Sequence, residues 1–181
     1  MDRKVQVGNR QAVFLVTNDA DPVIAEIVKH IESMCPPHAE KHTPSVFDLN
    51  RASVDVTMEE YVLRTVRYAR VCKPEIYTTL LFMNKVHALK RFIFTGSNVY
   101  KLWLACLLLA EKVLDDRCPT NTFFAKTGGI KVGELNTLEC ALLQMIEFET
   151  GITDSQFADF AATMDTRVES RACAKEKIHT A

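Results

Sequence analysis

"SNVYKLWLACLLLAEKVLDD", Ser97–Asp116, is the stretch on which the fold turns. Its middle, Leu102–Ala110, runs nine residues without one polar side chain. A helix that is apolar on nearly every face has no side to give to water, so it belongs at the centre of a bundle with other helices wrapped around it. The run is far short of the roughly 20 apolar residues needed to cross a bilayer. The spacing predicts a central helix over about 97–115, with Ser97 as its N-cap. On its C-terminal side the character changes at once, to a lysine, Leu-Asp-Asp, a Cys-Pro and then Gly128-Gly129.

Helical punctuation extends in both directions. "DPVIAEIVKHIESMC" opens with Asp21 as N-cap and Pro22 at the first helical position. Its Val23, Ile24, Ile27, Val28 and Ile31 recur at helical spacing. Pro36-Pro37 ends it, and a polar loop follows to about Ala52. Thr57 and Glu60 then form a capping box ahead of one apolar stripe, Met58, Tyr61, Val62, Thr65, Val66 and Ala69. Lys73-Pro74 starts a third helix, to about Leu89. After the central helix come a short piece around "TNTFFAK", a helix over Lys131–Phe148 ended by Gly151, and another opened by Asp154. The one candidate strand, Ala12–Val16, is isolated. The chain reads as all-α: residues 1–20 an extension, 21–165 one domain, 166–181 a charged tail.

Composition narrows the function classes. The chain has 181 residues, 48% hydrophobic and 25% charged, the balance of an ordinary globular protein. Lys and Arg number 22 against 23 Asp and Glu, so no global positive field draws in nucleic acid or an anionic membrane. Six cysteines without a CxxC pair, and no secretory segment, point to a reducing compartment, cytoplasmic or nuclear. Cys106 and Cys140, both in strongly helical segments, read as small hydrophobes.

No motif carries catalysis. "AKTGGIKVGE" mixes glycines and lysines ahead of a helix, but fails the spacing of phosphate-binding loops and has no strand before it. Gly128-Gly129 reads as a backbone turn between helices. Cys35, His38 and His42 have zinc chemistry, yet a structural zinc needs four ligands and no second pair stands near. No cofactor and no metal are expected. Arg64, Arg67 and Arg70 follow along one helix side, with Lys73, Lys85, Lys90 and Arg91 nearby in sequence. They read as a solvated face with one interior arginine.

Two residues remain. Lys112 sits in the last turn of the central helix, where a cation offsets the helix dipole. Glu139 lies at the edge of the stripe Leu135, Leu138, Leu142, Met145 and Ile146, and Leu143, one turn on, falls outside that stripe. An acid below an unneeded leucine on the flank of a core helix suits a protein-binding surface.

The stretch "AEKVLDDRCPTNTFFAKTGGIKVGELNTLE" resembles the signature of the P/U-type cyclins, the phosphate-signalling class. Its elements fall on Lys112, Leu114-Asp115-Asp116, Asn121, Phe123-Phe124, Ala125-Lys126, Gly128-Gly129-Ile130, Glu134-Leu135-Asn136 and Glu139. Weaker similarity extends from about Ser53 to Phe160. The resemblance implies a single cyclin box, a five-helix bundle around the central helix, here with an extra N-terminal helix. It further implies a regulatory subunit, without catalysis, that binds and activates a cyclin-dependent kinase. Lys112 and Glu139 would face the kinase's mobile regulatory helix, with Val113, Leu143 and Phe148 forming the apolar pocket beside them. A kinase inhibitor or a substrate would be a further partner.

The chain departs from the cyclin pattern at two places. Cyclins pair an interior arginine with an aspartate; Arg64 matches the arginine, but Asn84 stands where the acid would be, leaving a weaker hydrogen bond as the expected contact. The MRAIL-type recruiting patch is absent, its place taken by "EEYVLRTV". Two other classes stand beside this reading. One is a cyclin-fold transcription or scaffold protein, which would show salt-dependent DNA affinity. The other is a small all-α enzyme, which would show a deep pocket with a perturbed acid or histidine.

Overall fold

A computed structural model describes residues 22–36, 43–49, 56–116 and 119–179, with side chains described to residue 173. The helices are α1 (Pro22–Ser33), α2 (Met58–Ala69), α3 (Lys73–Ala88), α4 (Val99–Leu114), α5 (Asn121–Gly128), α6 (Val132–Met145) and α7 (Asp154–His179). There is no strand among the described residues. The candidate strand Ala12–Val16 and the expected cap Asp21 lie outside them.

The chain is all-α, and α4 is its axis. Every residue of α4 from Lys101 to Glu111 is buried, together with Val99. α2, α3, α5 and α6 all pack against it, giving the expected five-helix bundle. Trp103, fully buried on α4, donates its Nε1 hydrogen to Thr65 Oγ1 at 2.9 Å. That hydroxyl in turn bonds the carbonyls of Tyr61 and Val62 at 3.0 and 2.9 Å, so the polar atoms enclosed between α2 and α4 satisfy one another. The capping box of α2 is formed: Thr57 Oγ1 accepts from Glu60 N at 3.2 Å, and Glu60 Oε2 accepts from Thr57 N at 2.8 Å.

Three helix ends differ from the sequence reading. At α4 the cap is Asn98, not Ser97. Asn98 Oδ1 accepts from Thr95 N and its amide donates to the Ile93 carbonyl, while Ser97 Oγ donates to Asp48 Oδ1 at 2.8 Å. At α6 the helix stops at Met145, short of Phe148 and Gly151. Glu147 and Phe148 turn left-handed at φ 56° and 59°, and Phe148 N donates back to Leu143 O at 2.8 Å. This is the six-to-one bond with which helices commonly end, made here without a glycine. At α7 Thr153, not Asp154, forms the cap. Its Oγ1 accepts from Gln156 N at 3.2 Å and its own N–H reaches Gln156 Oε1 at 2.9 Å.

α7 closes the bundle from the α1 and α3 side, with Met164 fully buried and Phe157, Phe160, Ala161 and Val168 packed against the core. It runs on past residue 165 without a break. There Arg171 meets Glu26 of α1, 3.1 Å from Nη2 to Oε2, and Glu26 is only 3% exposed. The link between α6 and α7 is held by cations of the segment expected to be a solvated basic face. Lys85 Nζ donates to the carbonyls of Glu149 and Gly151 at 3.0 and 2.7 Å, and Arg91 donates to that of Met145 at 3.1 Å. Lys73 Nζ pairs with Asp165 at 2.6 Å, and the Tyr77 hydroxyl donates to the same carboxylate at 2.5 Å. Burial alone would push the Asp165 carboxyl up, but the hydrogen bonds from Lys73 and Tyr77 and the lysine's charge outweigh it and hold it below the usual range.

Candidate functional site

Three helices meet at one carboxylate. Lys112 stands in the last turn of α4, Asn121 opens α5 behind the Thr120 cap, and Glu139 lies midway along α6. Lys112 Nζ is 2.6 Å from Glu139 Oε1, and Asn121 Nδ2 donates to Glu139 Oε2 at 2.9 Å. The same amide donates to Asn136 Oδ1 at 2.8 Å. Both oxygens of Glu139 are engaged, and its side chain is 14% exposed against 35% for Lys112. An ammonium carries three hydrogens and a carboxylate about four lone-pair sites, so each group keeps capacity for a further partner.

The apolar residues expected beside this pair differ in exposure. Val113, next along α4, and Phe148, past the end of α6, are exposed at 45% and 66%. Leu143, one turn below Glu139, is half-buried and packs against the core rather than standing free. Leu114 and Phe123, which the sequence reading gave no role, are exposed as well.

The two glycines have separate jobs. Gly129 caps α5 in the left-handed region, at φ 73°. Gly128 lies against α4, where an added Cβ would fall 2.1 Å from Leu104 Cδ2. The absence of a side chain therefore sets how closely α5 rides on α4, and with it the placement of Asn121 seven residues earlier.

Arg64 and Asn84 are not each other's partners. Asn84 Oδ1 faces His30 Nε2 at 3.0 Å, across α3 and α1. The Arg64 guanidinium lies over the Tyr61 ring, 5.1 Å from its centroid, and its Nε is buried without a hydrogen-bond partner. The reason is topological: α2 packs chiefly on α1 and α5, and α3 chiefly on α4 and α7.

His38 and His42 lie outside the described residues, and Cys35 Sγ donates to Ile31 O at 3.6 Å. Among the described residues no three His, Cys, Asp or Glu side chains gather as metal ligands would. Cys106 is buried, and burial pushes its thiol well up. Cys140, read as a small hydrophobe, is exposed. No helix among the described residues is long and apolar enough to cross a membrane.

Three buried charges among the described residues escaped the sequence reading: Glu26, Lys101 and Glu111. Lys101, 5% exposed, reaches Glu134 Oε1 at 2.8 Å and the Asp48 carbonyl at 2.6 Å. A lysine immediately ahead of the nine-residue apolar run was the available signal, because a buried ammonium requires an acid and an acceptor.

The cyclin family model matches residues 13–150. Cyclin-P1-1 of Oryza sativa subsp. japonica is 40% identical over 96 residues, covering 52% of this chain and 36% of that protein. Cyclin-P4-1 of the same plant is 30% identical over 115 residues, covering 62% and 54%. Cyclin-U4-2 of Arabidopsis thaliana is 30% identical over 123 residues, covering 64% and 54%. The matches span about half the length of these relatives or less. The match covers α1 through α6 on one continuous helical core, and with these relatives it places the chain in the cyclin family, among the P/U-type cyclins.

Proposed function

We propose that this protein is a regulatory subunit that binds a cyclin-dependent kinase and activates it by docking on the kinase's mobile regulatory helix, performing no chemistry itself. The observation that carries the reading is the Lys112–Glu139–Asn121 junction. A cation and an anion with spare hydrogen-bonding capacity are held by three helices, beside exposed Val113 and Phe148 and half-buried Leu143. An active kinase needs the ion pair between its strand-β3 lysine and regulatory-helix glutamate assembled. A rigid partner that binds the assembled arrangement better than the disassembled one shifts the population toward it. Lys112 would donate and Glu139 would accept hydrogen bonds around that kinase helix. The apolar side chains would bury against the helix itself.

The test is affinity capture from extract of the source cells, wild type beside a Lys112→Ala/Glu139→Ala double variant, with the bound protein identified and assayed for kinase activity. Each single loss is expected to cost about 2–5 kcal/mol of kinase affinity once the groups are desolvated by the partner. Lys112→Ala is expected to change folding stability by at most about 1 kcal/mol, since the free pair is partly exposed. Capture of an active kinase by the wild type alone is the expected result. Equal capture by both forms would keep the function and discard the site. No kinase from an extract that contains one would discard the function.

A further inference from the structure

A groove of about 700 Å³ runs between α1 and α7, helices that contribute nothing to the Lys112–Glu139 junction. Its walls are Glu26, Lys29, His30 and Ser33 of α1, and Thr166, Arg167, Ser170 and Arg171 of α7. None of these side chains is apolar, so the groove lacks the aromatic or aliphatic anchors on which protein interfaces depend. It is also short. Residues 26–33 span only about 10 Å of helix, too little for more than a few residues of bound peptide.

The charges do not balance. Glu26 is already neutralised by Arg171, with contacts of 3.1 and 3.2 Å to its Oε2. That leaves Lys29 and Arg167, both exposed and with no ion-pair partner among the described residues, facing the same space from opposite walls. The hydroxyls add no donors, because each spends its hydrogen on its own helix: Ser33 on His30 O, Thr166 on Ala162 O and Ser170 on Thr166 O. His30 completes the set. Its Nε2 is held by Asn84 Oδ1, and its ring sits edge-on to Phe160. If Nε2 carries the hydrogen toward Asn84, Nδ1 is a bare acceptor in the neutral ring and a donor once protonated.

We propose that this groove binds a small, multiply charged anion of the phosphate or pyrophosphate class between Lys29 and Arg167, and that binding draws a proton onto His30. The volume fits a small-molecule site, and the two unpaired cations fit two anionic groups rather than one. The groups that face His30 are Glu26 on its own helix, Asn84 and His87 from α3, and Arg167 and Phe160 from α7. Burial lowers its pKa, the Asn84 bond opposes this, and Arg167 lowers it further, so the ring is neutral in the empty groove at neutral pH. An anion that satisfies Arg167 removes that repulsion and favours the imidazolium. Affinity for a given ionic form of the anion then rises as pH falls.

The experiment titrates inorganic pyrophosphate into the full chain by calorimetry at constant ionic strength, at pH 7.5 and 6.0, in two buffers of different ionisation enthalpy. Saturable one-to-one binding is expected. Pyrophosphate itself gains a proton over this pH range, so affinity and proton count are read against His30→Gln: from pH 7.5 to 6.0 the wild type should gain at least three-fold relative to that variant and take up more protons on binding. Lys29→Gln/Arg167→Gln should weaken binding at least ten-fold. All variants are checked by circular dichroism to be folded at both pH values. Absence of saturable binding by millimolar pyrophosphate, or equal binding by the double variant, would overturn the proposal. Sedimentation with anionic phospholipid vesicles, without any response to pyrophosphate, would overturn it in favour of a membrane surface.

Discussion

At Gly128 a single hydrogen atom sets the distance between two helices. A methyl group there would meet Leu104 Cδ2 at 2.1 Å, and Leu104 is itself fully buried with little room to turn aside. Gly128→Ala is therefore expected to destabilise by about 1–3 kcal/mol, although alanine is the better helix former. Gly133, near the start of α6, has nothing within 4 Å of the same position. Gly133→Ala should instead stabilise, by about 0.4–1 kcal/mol. Urea unfolding of the two variants side by side reads the opposite signs. The sequence shows a Gly-Gly turn here but not which glycine does what, because close approach depends on a residue 24 positions away. Lys112 and Glu139 were legible through resemblance and through the position of Glu139 beside the apolar stripe. Asn121 lay in the same signature, yet its bond to Glu139 needed three helices in place before it could be seen.

The helices themselves were legible, and their ends less so. α4, at 99–114, falls within the span its apolar run predicts; burial on all faces erases the period, but a stretch from Ser97 to Asp116 without Gly or Pro is too long for a buried strand. The caps at α4 and α7 moved by one residue, since Ser97 and Asn98, or Thr153 and Asp154, are chemically equal candidates and only local geometry chooses. α1 carries a prediction of its own. Burial and the nearby Arg167 hold the His30 pKa below its ordinary value of about 6.5, with the Asn84 bond only partly offsetting this. The unfolded chain then binds a proton more readily than the folded one. The stabilising contribution is complete above about pH 6.5 and is lost as pH falls through the lower, folded value. In phosphate-free buffer, the fall in melting temperature between pH 7 and pH 5 should be shallower for His30→Gln than for the wild type. An identical slope would show that the imidazole titrates alike in both states.

Taken whole, the molecule is a one-axis bundle braced on one side by α7. The composition of 166–181 reads as a solvated tail because it is rich in charge, but one arginine in it is committed to a buried glutamate 145 residues away. Charge pattern alone does not reveal such a commitment, since a paired and an unpaired arginine look the same in sequence. The junction at Glu139 has a consequence at this scale. Lys112 and Glu139 neutralise each other, and the chain as a whole carries a formal charge of -1. Beyond a Debye length of about 8 Å in physiological salt, an approaching partner meets almost no field from the pair. On the proposed function, selectivity must then come at contact, from whether the partner's donors and acceptors match the geometry, and not from attraction at a distance. The association rate with a kinase should stay near an unsteered 10⁵–10⁶ M⁻¹s⁻¹ or so and change less than about three-fold between 50 and 500 mM salt, while the Lys112→Ala defect appears in the dissociation rate. Stopped-flow measurement over that salt range would show it. A steep fall in the association rate would place long-range charge recognition elsewhere on the surface.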